Sequence, residues 1–225
     1  MKNLARIVFF AVFLLHLLGI ALANPTLDQF SKPLLMPTLA GWLLLAVHRD
    51  QRSSFLFRAV MGALVFSTLG DVLLMFSGPL FFLLGLFSFL MAHVFYIGAF
   101  VSVTGFKNGF LARNPLWSLP FLTFPVLLLV FLWDGIPAGM RVPVAIYAGV
   151  IAVMALSVLN LKGRIVGPVF TSLFAGALFF MLSDSLLALN KFGQAFEGAG
   201  MAIMVTYILG QFLLVRGVEQ HWRLG

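Results

Sequence analysis

The sequence predicts an all-α polytopic membrane bundle: eight transmembrane helices in a single integral membrane domain over residues 1–225. Three observations carry that prediction. Hydrophobic residues make up 62% of the chain and charged residues only 9%, with a mean hydropathy of +1.09, far from the balance of a soluble domain. The apolar residues fall into runs of about the 20 residues that a spanning helix needs. The basic residues collect in alternate connections between those runs.

The first run covers approximately residues 4–23 and follows Lys2 and Arg6. It also reads as a cleavable signal peptide ending at Ala21-Leu22-Ala23, although it is long for one and contains His16. The second run, residues 33–48, is short for a full span and starts inside the interface. The third, 57–77, and the fourth, 79–104, are separated by Ser77, Gly78 and Pro79, a helix stop and restart. Four more runs follow at residues 115–133, 142–161, 167–189 and 198–217.

With the N-terminus inside, the inner segments hold Lys2, Arg6, Arg49, Arg52, Arg58, Lys107, Arg113, Lys162, Arg164, Arg216 and Arg223. The outer segments hold only Lys32, Arg141 and Lys191. Both termini are therefore expected in the cytoplasm, the membrane being a bacterial inner membrane. The net charge of +7 is a topology signal and a contact with anionic headgroups, with no nucleic-acid partner implied. The chain has no cysteine, so disulfides, thiolate metal sites and a cysteine nucleophile are excluded. Neither a nucleophile elbow, nor a P-loop, nor a dinucleotide fingerprint is present.

A weak internal repeat suggests two four-helix halves related by an axis along the membrane normal. The pattern small-Asp-x-Leu-Leu occurs at Asp71 on the third run and at Asp184 on the seventh. MAHVFYIGAF on the fourth run also rhymes with MVTYILGQF on the eighth.

Those two aspartates are the candidate catalytic residues. A carboxylate at the bilayer centre costs about 2.5–3.5 kcal/mol even on the mildest insertion scale, so it marks a functional site by default. The other reading is that each merely ties helices together. Counting about 1.5 Å per residue puts both some 20–24 Å above the inner side, which suggests a facing pair across one cavity. Gly70 and Ser183 precede them and permit close helix approach.

Other polar groups qualify as supporting or substrate-binding residues. Ser67 lies one turn before Asp71, and Tyr207 and Gln211 share a helix face. Asn190 follows Asp184 toward the outer surface. Lys32, placed ahead of the second helix, either grips a lipid phosphate, neutralises a carboxylate, or simply snorkels. His93 and Tyr96 share a face, with His93 about 10 Å deeper than the aspartates by helical rise; an interhelical hydrogen bond is the simpler role for it. His16, His48 and His221 are dispersed, so no metal is expected.

The ordered set KPLLMP, LGDVLLM, FLMAHVFYIGAF, IYAGVIAVMAL, GALFFMLSDSLLALNKF and TYILGQFLL resembles the YhhN/TMEM86 lysoplasmalogenase family of multispanning membrane hydrolases. The resemblance covers nearly the whole chain. It implies an ether-bond hydrolase that needs no cofactor, with a lysophospholipid and water as partners. The vinyl-ether bond is cleaved to a fatty aldehyde and a glycerophospho-base. Vinyl ethers hydrolyse by protonation at the alkenyl carbon, followed by water capture of an oxocarbenium ion. A protonated carboxyl group would supply the proton while a second carboxylate stabilises the cation or activates water. The residues alone leave three alternatives open: a proton- or cation-coupled transporter, a metal-dependent lipid hydrolase built on Asp71, Asp184 and His93, and a non-catalytic scaffold.

Overall fold

Capping residues and prolines set where the helices begin. The computed structural model describes residues 2–224, and no strand occurs among them. Helix α1 (Lys2–Ala21) leads to Asn24, whose side chain accepts from the Thr26 and Leu27 amides and caps α2 (Pro25–Ala46). The helix α2 thus starts at Pro25 rather than at residue 33, because an Asn cap followed by proline is a strong helix start. Pro33 and Pro37 then lie inside it, which a membrane helix tolerates when its neighbours compensate. Lys32 is consequently a helical residue, half-buried, and not part of a loop.

Ser54 caps α3 (Phe55–Leu73) by accepting from the Phe57 amide. Gly78, at φ 117°, makes the tight reversal into α4 (Pro79–Thr104), a conformation that a side chain would strain. The four-residue α5 (Phe110–Arg113) lies in the connection to α6 (Leu119–Leu132), and α6 is flanked by 3₁₀ turns at Pro115–Ser118 and Trp133–Gly135. The chain finishes with α7 (Ala138–Leu159), α8 (Gly167–Phe192) and α9 (Ala199–Leu224).

Seven of these helices are long and apolar enough to cross a membrane. Asp28, Gln29 and Lys32 in its first half keep α2 out of that set. Geometry nevertheless makes α2 the eighth crossing. Glu219, near the end of α9, ion-pairs with Lys2 and with Arg6 (3.4 Å) at the start of α1. The two ends of the chain therefore lie at the same end of the bundle, which requires an even number of crossings. Eight crossings fit; seven do not.

The hairpins α3–α4 and α8–α9 are the most closely packed pairs, α4 packs on α7, and α9 packs on α1 and α2. Each hairpin is held at glycines. A Cβ on Gly70 would lie 2.6 Å from the Phe89 ring, and one on Gly85 2.6 Å from Leu74. In the second hairpin, a Cβ on Gly176 would meet the Leu214 amide at 2.8 Å, and one on Gly210 would meet the Phe180 amide at 2.9 Å. Such close backbone approach is how membrane helices gain dispersion contact without a hydrophobic driving force. Gly176→Leu should force α8 and α9 apart and destabilise the fold by about 1–3 kcal/mol or more. Thermal unfolding in detergent checks this, with Gly41→Leu, at a glycine with open space around it, as the control that keeps its midpoint.

Candidate active site

A helical side chain leaves its backbone tilted toward the helix N-terminus. The helices α3 and α8 run opposite to α4, α7 and α9, so polar side chains on the two sets lean toward one another. Asp184 on α8 therefore meets His93 on α4, with His93 Nε2 3.5 Å from Asp184 Oδ2. The offset of about 10 Å expected from helical rise is closed by these opposed tilts and by the length of the side chains.

Tyr147 on α7 completes this cluster. Its hydroxyl donates to Asp184 Oδ2 at 3.1 Å and lies 3.5 Å from His93 Nε2. His93 is fully buried and its Nδ1 has no hydrogen-bond partner. An Nδ1 without an acceptor favours the tautomer with its proton on Nε2, facing the carboxylate. Asp184 retains 12% side-chain exposure, because it lines a chamber of about 60 Å³ between α6, α7 and α8. Tyr147 and Ser185 line the same chamber, and the rest of the wall is apolar, including Leu132, Ile136, Ile151 and Met181.

Asp71 has a separate setting. It is 3% exposed and is not part of the chamber wall. Tyr207 on α9 donates to its Oδ2 at 2.9 Å. One turn away on both helices, Gln211 Nε2 donates to Ser67 Oγ at 2.9 Å. Tyr96 in turn donates to Gln211 Oε1 at 2.6 Å. Two hydrogen-bonded rungs thus tie α3 to α9, with Tyr96 of α4 fixing the second. Every side chain in these rungs is buried, as the cost of an unpaired polar group requires.

The two carboxyl clusters are neighbours divided by one ring. Phe180 makes edge contacts with His93 (4.5 Å between centroids) and with Tyr207 (5.5 Å). The aspartates do not face each other across one open cavity; each is held by the fourth helix of the opposite half. Their side chains project toward different partners. Lys32 is within Coulombic reach of Asp71. Asn190 is half-buried farther along α8, and Lys191 beside it lies over the Phe82 ring. Among the described residues, no three His, Asp or Glu side chains converge as a metal site would need.

Tyr147 escaped sequence reasoning. A signal for it existed: the chain has three tyrosines against 26 phenylalanines. In so apolar a chain a phenolic hydroxyl is a costly choice, and all three tyrosines carry hydrogen bonds in these two clusters. His16 was likewise seen as a lone histidine. It bonds Ser31 Oγ at 3.0 Å and lies 3.3 Å from Asp28, joining α1 to α2.

Comparison with known proteins agrees with the resemblance. The model of the YhhN family matches residues 27–218. Lysoplasmalogenase TMEM86B of Sus scrofa is 32% identical over 165 residues, which is 73% of this chain and 65% of that protein. Lysoplasmalogenase TMEM86B of Mus musculus is 33% identical over 156 residues, covering 69% and 61%. Lysoplasmalogenase TMEM86A of Homo sapiens is 28% identical over 204 residues, covering 84% and 80%. The matched region thus spans just under two thirds of the TMEM86B proteins. No solved structure gives a significant match. The match of the family model runs from the first turn of α2 to the last turns of α9, and the chain belongs to the YhhN family.

Proposed function

We propose that this chain is a membrane-embedded hydrolase that cleaves the vinyl-ether bond of a lysophospholipid, releasing a fatty aldehyde and a glycerophospho-base. The observation that carries this reading is Asp184, a carboxyl group with His93 and Tyr147 behind it, set in the wall of an otherwise apolar chamber. The names of the relatives point to the same chemistry.

In the proposed reaction, the Asp184 carboxylic acid gives its proton to the alkenyl carbon β to the ether oxygen. The positive charge that results is shared between the oxygen and the carbon bonded to it. Water adds at that carbon and loses a proton to the Asp184 carboxylate, which restores the acid. The hemiacetal then collapses, its hydroxyl proton passing to the departing glyceryl oxygen as the C–O bond breaks. Tyr147 orients the carboxyl group by its hydrogen bond to Oδ2, with His93 Nε2 3.5 Å from the same oxygen, which leaves Oδ1 for the substrate. One residue thereby acts first as acid and then as base. Asp71, behind Phe180, supplies negative potential to the developing cation through a low-dielectric interior, where such fields act strongly.

The inner-membrane location and the cytoplasmic termini belong to this proposal and rest on the distribution of basic residues. The test is aldehyde release by purified protein supplied with a vinyl-ether lysophospholipid. Release that resists chelators is the expected result, and its absence from the wild type would overturn the reading.

A further inference from the structure

A second cavity lies on the other side of α6. It holds about 480 Å³ between α4, α6 and α7, and its wall is wholly apolar. Pro125, Leu129 and Ala148 belong to this groove and to the Asp184 chamber alike. The two spaces are therefore adjacent, separated only by side chains without polar groups.

The sequence explains why the groove stays open. Ala145, Ala148, Gly149 and Ala152 form a strip of small residues on α7 at i, i+3, i+4 and i+7. A Cβ added at Gly149 would meet nothing within 4 Å. Above the strip, α6 contains Pro125 and is the least buried of the candidate spans. Its outer side chains, Val126, Leu127 and Val130, are exposed, so the groove lies at the lipid boundary. From residue 145 to residue 153 its floor on α7 runs about 12 Å by helical rise. A hydrocarbon chain lying in a groove of this kind, lined by methyl groups, gains dispersion contact along its length.

We propose that this groove holds the hydrocarbon chain of the single-chain lipid whose reacting end occupies the Asp184 chamber, and that Gly149 sets the chain length admitted. The proposal rests on the hydrolase reading for its choice of lipid. Its physical basis is the shared wall: a chain leaving the chamber past Leu129 and Pro125 reaches the groove without crossing a polar surface. The single-chain lipid accounts for both spaces at once.

The experiment uses purified protein in nanodiscs and a non-hydrolysable alkyl-ether lysophospholipid with a diazirine near the end of its chain. Cross-links should concentrate on residues 122–129 and 145–153 and fall about tenfold in Gly149→Phe, the size expected when a hydrophobic subsite is closed. Gly41→Phe, at an equally open glycine on α2, should cross-link as the wild type does. Labelling spread over the exposed faces of α1 and α6, and equal in Gly149→Phe, would overturn the proposal. A second arm compares long- and short-chain vinyl-ether substrates. Gly149→Phe should lower the long-to-short ratio of kcat/KM about tenfold, and an unchanged ratio would contradict the proposal. If the wild type hydrolyses no vinyl ether, the hydrolase reading falls, while the cross-links still decide whether the groove binds a chain.

Discussion

Asp184→Asn should reduce aldehyde release by about a thousandfold, within the range for loss of a general acid–base group. Asparagine keeps the shape of the side chain and can still accept from Tyr147 through its carbonyl oxygen. It cannot deliver a proton to carbon or recover one from water. Because Asp184 lines the chamber with 12% exposure and is not a sealed core group, the exchange should leave the fold intact. Thermal unfolding of the variant separates loss of chemistry from loss of structure. An inactive variant with an unchanged melting midpoint is the expected outcome; an active one would remove Asp184 from the mechanism.

A smaller loss, about tenfold to a hundredfold, should follow Asp71→Asn, since an electrostatic contribution acts across Phe180 and not by contact. Tyr207 can donate to the asparagine carbonyl as it does to the carboxylate, so the rung between α3 and α9 survives. What is lost is the charge. Lys32 shares that charge, being within reach of Asp71 from α2. Lys32→Ala and Asp71→Asn should therefore be non-additive in kcat, as expected of coupled groups. If Lys32 gripped the phosphate instead, its removal would raise KM and the two effects would add. Steady-state kinetics on both single variants and the double variant distinguish these outcomes.

The fold was largely legible because a bilayer permits few solutions: helices of a set length, alternating basic connections and paid-for backbone hydrogen bonds. The exception, α2, shows the limit. Pro33 resembles a helix start, whereas Asn24 and Pro25 supply a better one eight residues earlier. Polar residues in apolar runs were also visible, and Asp71, Asp184, His93, Tyr96, Ser67, Tyr207 and Gln211 all prove to lie in the two hydrogen-bonded clusters. Their partners were not visible. Which helix of one half meets which helix of the other, as α4 meets α7 and α9 meets α1 and α2, is decided by tertiary packing, and spacing along one chain carries no trace of that. A rise-based depth also ignores side-chain tilt, which is why His93 reads as distant from Asp184. Tyr147 was missed for a different reason: it stands alone on α7, and only the scarcity of tyrosine marks it.

The most direct test of proton delivery to the vinyl ether is hydrolysis in D₂O, with the aldehyde reduced at once to stop later exchange. The mechanism predicts a product with one deuterium on the carbon next to the former carbonyl, formed by the wild type and absent with Asp184→Asn. Aldehyde without that deuterium, or equal amounts of labelled product from the variant, would contradict it.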